Sequence, residues 1–144
     1  MRVPGDLYWL PRMLIDVRIT NTYFQHTNLC TRKLPRELPY CTCMVCTLSG
    51  PIDLRTLPAK LVKLDLTGNA FSGTVYLTAI PANMRVVCLS SNTIAKVVVC
   101  NDALPRSLES ACSFHARRKP RFMCLGAEKL DRRVGKKITT RSIL

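Results

Sequence analysis

Leu57-Pro58-Ala59-Lys60-Leu61-Val62-Lys63-Leu64-Asp65-Leu66-Thr67-Gly68-Asn69-Ala70-Phe71-Ser72-Gly73-Thr74-Val75-Tyr76-Leu77-Thr78-Ala79 is the stretch that decides the fold. Its apolar residues Leu57, Leu61, Leu64, Leu66, Phe71, Val75 and Leu77 fit neither a 3.6-residue helix nor one long alternating strand. Lys63 to Thr67 does alternate, with Leu64 and Leu66 on one side and Lys63, Asp65 and Thr67 on the other. That is a short strand with one face inward and one outward. Asn69 and Phe71 follow at fixed offsets, and Ser72-Gly73 is read as a turn.

One such coil leaves both flat faces of its apolar interior open, so the pattern should recur. It does. Leu10-Pro11, Leu34-Pro35, Leu57-Pro58, Ile80-Pro81 and Leu104-Pro105 open five segments at a nearly constant interval. The second carries Leu38, Cys41, Cys43, Cys46, Leu48, Ile52 and Leu54 in the equivalent places. The fourth carries Met84, Val87, Leu89, Asn92, Ile94, Val98 and Cys100. The first has Leu14, Val17, Ile19, Thr22 and Phe24, with Asn21 one place early. The fifth keeps Leu108 and then degrades to Ala111, Ser113 and Ala116. Good central repeats between atypical ends describe a short solenoid.

The coil resembles the leucine-rich repeat family, whose core pattern is L-x-x-L-x-L-x-x-N/C-x-L. Leu61, Leu64, Leu66, Asn69 and Phe71 fill those places, and the closing Phe71-Ser72-Gly73-Thr74-Val75 is most similar to protozoan members. The resemblance implies an α/β-horseshoe-type solenoid with a parallel β-sheet on the concave face and little regular helix. It would hold about 4–5 coils, each of about 23–24 residues, within the range of that repeat class. Strands are expected near 17–19, 40–44, 63–67, 86–90 and 110–114, stacked right-handedly. Residues 1–9, with Tyr8 and Trp9, read as a lead-in and cap; coils span 10–33, 34–56, 57–79 and 80–103. A degenerate fifth coil covers 104–127, with a short helix possible over 127–134, and a basic tail expected to be disordered covers 128–144. Cys46, Asn69 and Asn92 form the inward structural ladder. In this family partners bind the concave sheet. The residues so placed here are Arg18; Tyr40, Thr42 and Met44; Lys63, Asp65 and Thr67; Val86, Cys88 and Ser90; and Cys112 and Phe114.

Charge is uneven along the chain. The net charge is +13, of which residues 104–144 carry +8 while residues 34–103 carry only +2. Arg117-Arg118-Lys119-Pro120-Arg121, Arg132-Arg133 and Lys136-Lys137 suit a nucleic-acid contact or a nuclear-targeting signal, or else a solvated tail. The terminal Ser142-Ile143-Leu144 also fits carboxylate capture. No signal peptide, membrane span or lipid-anchor signal is visible, so an intracellular protein or a fragment of a longer gene is expected.

Eight cysteines raise metal and disulfide questions. Cys41, Cys43 and Cys46 have a zinc-like spacing, but the repeat assigns all three to inward sites that suit small, easily buried thiols. Cys88, Cys100, Cys112 and Cys124 are evenly spaced at half a coil, which sets Cys88 beside Cys112 facing outward and Cys100 beside Cys124 on the opposite wall. Reduced thiols are expected. No catalytic constellation, metal site or cofactor is expected: His26 and His115 lack partners at a dyad spacing, and every glycine near the centre is a turn residue. The sequence therefore reads as a non-catalytic protein-interaction module with an unknown protein ligand. The other readings are weak contact of the basic tail with nucleic acid or anionic surfaces, and a decayed gene fragment.

Overall fold

The structure, a computed structural model, describes residues 10–23, 28–115 and 119–138. Coil one contributes β1 (Asp16–Thr20), and coil two contributes β2 (Tyr40–Met44) and β3 (Ser49–Gly50). Coil three holds β4 (Lys63–Asp65) and β5 (Ala70–Leu77); coil four holds β6 (Val86–Cys88) and β7 (Thr93–Val99). Coil five holds β8 (Ser110–Ala111), β9 (Phe114–His115) and β10 (Arg121–Cys124), and β11 (Lys137–Ile138) follows. The first sheet runs β1-β2-β4-β6-β8, the other wall runs β10-β7-β5-β3, and every pairing is parallel. The chain is a parallel β-solenoid, and no α-helix occurs among the described residues.

The inward residues of each coil stack on those of the next. Leu61, Leu64, Leu66, Phe71, Val75 and Leu77 are fully buried, joined by Leu38, Cys41, Cys43 and Leu48 below and Met84, Val87 and Val97 above. Each Leu-Pro opening folds into the same tight turn, because proline presets its φ and leaves its carbonyl free to accept. The amide three residues on donates to that carbonyl: Leu14 to Pro11, Leu38 to Pro35, Leu61 to Pro58, Met84 to Pro81 and Leu108 to Pro105, at 3.1–3.2 Å.

Several expectations need correcting. Ser72-Gly73 is no turn: Gly73, at φ 80°, lies inside β5, where the register with β7 slips between Gly73 and Thr74. The extra residue is Ala95 of β7, a β-bulge, and Gly73 on the facing strand takes a φ that its missing Cβ permits. The second sheet itself goes beyond the one concave sheet expected. Cys124 does not face Cys100. Its register partner is Val99, because the step from β7 to β10 (Lys96 to Arg121) is one position longer than the step from β6 to β8 (Val86 to Ser110). Coil five therefore holds one extra residue between its walls. The expected capping by Tyr8 and Trp9, the coil-one positions Phe24 and His26, and the terminal Ser142-Ile143-Leu144 lie outside the described residues.

Residues 128–138, expected within a disordered tail, are placed against coil five as a short sixth turn, and no helix spans 127–134. Leu130-Asp131 repeats the opening with aspartate in proline's place, and Val134 N donates to Asp131 O at 3.0 Å. Val134 is buried and bridges Ala111. Arg133 anchors the turn: its guanidinium reaches Pro105 O at 3.0 Å and both carboxylate oxygens of Asp131 at 2.8 and 2.9 Å. That hydrogen bonding holds the Asp131 carboxyl down at about 2, from an ordinary 3.8. A depressed acid stabilises the fold above its unfolded value and loses that contribution as pH falls through the folded one. Between about pH 5 and about pH 2, wild type is thus expected to lose up to about 1 kcal/mol more than Asp131→Asn, solvent screening included. Urea unfolding of both proteins across that range measures the difference.

Candidate partner-binding face

The outward residues of the first sheet come from alternation within its strands, and the register sets them side by side. Asp16, Tyr40, Lys63, Val86 and Ser110 form one row, and Arg18, Thr42, Asp65 and Cys88 form the next. Arg18, Tyr40 (46% exposed) and Lys63 are exposed, while Thr42, Met44, Asp65, Thr67, Val86, Cys88 and Ser90 are half-buried. Several of these groups bond to one another. Arg18 Nε lies 2.9 Å from Asp16 Oδ2, Asp65 Oδ1 accepts from Thr67 Oγ1 at 2.6 Å, and Thr67 and Ser90 hydroxyls are 3.3 Å apart. The face is thus a fixed surface with Tyr40, Met44 and Val86 as its apolar part and Arg18 and Lys63 as its exposed cations.

The structure corrects the two outermost residues. Cys112 is not on this face; it is 3% exposed. Alternation ends at Ala111, because Cys112 turns into the left-handed region (φ 53°) with its amide on Val87 O, and the sixth turn docks there through Gly135 N to Ala111 O. Burial, with Cys88 nearby, pushes the Cys112 thiol up to about 12. Phe114 is only half-buried but is already occupied: β9 pairs with β11, its ring lies 6.0 Å from that of Phe122, and the Lys119 ammonium sits over it. Sequence reading also missed the ion pairs along the edge beside the face, Lys60 with Glu37 and Arg85 with Glu109, each between neighbouring coils. Their separation by one coil was the available signal.

Behind the face lies the ladder. Asn69 Oδ1 accepts from Cys46 N at 2.9 Å and Leu48 N at 3.1 Å, while its Nδ2 donates to Cys43 O and Leu66 O at 2.8 Å. Asn92 Oδ1 accepts from Phe71 N, and its Nδ2 donates to Leu66 O and Leu89 O. Cys46 stands in the same place one coil earlier, and its thiol points to Ile19 O (3.4 Å) and Met44 O (3.1 Å). The residue before each rung turns the chain: Val45, Gly68 and Ser91 all have positive φ, 53°, 74° and 55°.

Cys41, Cys43 and Cys46 are all fully buried in the core, where leucine and asparagine stand in coil three. Contact with Cys41 and burial push the Cys43 thiol far up, and burial raises Cys46, so both stay protonated at neutral pH. Among the described residues no group of three His, Cys, Asp or Glu is arranged to hold a metal, and none of the eight cysteines is in a disulfide. The combined change Cys41→Leu, Cys43→Leu, Cys46→Asn is expected to leave the protein folded, within about 1–3 kcal/mol of wild type. Metal ligands would behave differently: their loss would unfold the coil, and purified wild type would carry one equivalent of zinc by elemental analysis.

No helix of the described residues is long and apolar enough to cross a membrane. No family model matches the chain, and neither a curated protein nor a solved structure matches it.

Proposed function

We propose that the chain is a non-catalytic, leucine-rich-repeat-type interaction module that binds a protein ligand on the outward face of the first sheet. The observation that carries this reading is the row Tyr40, Lys63, Val86: three unlike side chains aligned on adjacent strands, backed by a hydrogen-bonded buried ladder. A rigid platform that carries an aromatic residue costs little ordering entropy on binding, and aromatic residues are enriched where interfaces gain their energy. The family reading is supported by the rung at Asn69 and by cysteine at the same place in coil two, both residues that the repeat pattern accepts.

Affinity capture with the full chain tests this, beside Tyr40→Glu/Lys63→Glu on the face and Lys136→Glu/Lys137→Glu on the sixth turn. The bound protein is expected to be lost with the first pair, kept with the second, and little changed by added salt. Capture that the lysine variant abolishes and that fades steeply with salt would move binding to the basic region. Truncation at residue 104 is a poor substitute, because it would uncover Val87 and the edge of β6.

A further inference from the structure

Strand β1 is paired on one side only among the described residues, and the end of the core behind it is thinly covered. Leu10, Leu14 and Ile19 pack on the core but stay half-buried, and Met13 and Ile15 are 83% and 72% exposed. Open strand edges invite pairing with another chain unless something blocks them. Within β1 no proline or lone charge blocks the edge; its two charges are of opposite sign, Asp16 and Arg18, on the outward face.

The backbone directions limit how a partner strand can attach. Asn21 N donates inward to Met44 O of β2, so by alternation the peptide groups of Asp16, Arg18 and Thr20 point away from β2, to the open side. A second β1 related by a two-fold axis arrives antiparallel, and its bonding pairs must join residues from this same set. Setting Asp16 against Asp16, or Arg18 against Arg18, places like charges directly opposite, which destabilises a cross-strand pair. The register centred on Val17 sets Asp16 against Arg18 twice, and each pair exchanges both its backbone bonds. On the core side the same register places Val17 against Val17 and each exposed Ile15 over the half-buried Ile19 of the other copy. One register thus satisfies charge, hydrogen bonding and apolar cover together.

The geometry points to a self-complementary interface at β1: a second copy of this chain joins the first sheet antiparallel about Val17, making one continuous ten-stranded sheet from two five-stranded ones. The pairing leaves the row Tyr40, Lys63, Val86 uncovered.

Sedimentation equilibrium of the full chain over a micromolar concentration series tests the interface. The expected result is a concentration-dependent dimer. Asp16→Arg alone and Arg18→Asp alone each set like charges opposite one another twice, and each is expected to weaken the dimer by about tenfold or more. The combined Asp16→Arg/Arg18→Asp restores opposite pairs and should restore the dimer, which separates the interface from a mere folding defect. A wild-type monomer throughout the series would overturn the inference. So would a dimer indifferent to the single changes, or one that the double change fails to recover.

Discussion

Asn69→Ala is expected to lower stability by about 3–5 kcal/mol, more than any other single change on the ladder. The amide joins two coils through four buried backbone groups, Cys46 N, Leu48 N, Cys43 O and Leu66 O. Alanine leaves at least three of them without a partner in a place water does not reach; Leu66 O retains its bond from Asn92. Leaving a buried polar group unpaired costs about 1–3 kcal/mol, with partial relaxation reducing the sum. Asn92→Ala should cost less, because its carbonyl oxygen accepts from Phe71 N alone. Denaturant melting of the two variants gives the comparison. A loss below about 1 kcal/mol for Asn69→Ala would mean that the rung is ornamental.

Leu66→Ala is the apolar counterpart, with an expected loss of about 2–5 kcal/mol from lost transfer energy and the cavity left behind. Leu66 is fully buried between Cys43 and Leu89, its equivalents in the adjoining coils. Lys63→Ala, on the outward side of the same coil, removes an exposed side chain and should change the melting midpoint little. Equal losses for the two variants would place the register of β4 off by one residue, since a one-residue slip exchanges the faces.

How legible was this in the sequence? The central coils were open to reading, because most inward positions there are leucine, phenylalanine, valine or a small thiol, and the strand alternates cleanly. All of Leu61, Leu64, Leu66 and Phe71 fell where the repeat put them. The other wall was missed because Gly73 looks like punctuation, although Val75-Tyr76-Leu77 and Val97-Val98-Val99 have the β-branched and aromatic content of strands. Tertiary pairing keeps the glycine within β5, facing a bulge at Ala95 of β7. The sixth turn was hidden by aspartate replacing proline and by the density of charge around it. Only the placed Arg133 shows that two of those charges neutralise each other and cap coil five. Cys112 shows the limit of period counting. One coil on from Cys88 put it outward, yet the chain leaves the sheet one position earlier.

The stacked parallel register is the claim on which the face, the ladder and the interface all depend. Nuclear Overhauser contacts across Cys41, Leu64 and Val87 test it directly, since these three are neighbours on β2, β4 and β6 although a whole coil of sequence separates each from the next. Parallel stacking predicts Hα-to-amide contacts between those strands and no close Hα–Hα pairs, which belong to antiparallel neighbours. Close Hα–Hα pairs between these strands, or successive amide–amide contacts of a helix through 57–100, would contradict the account.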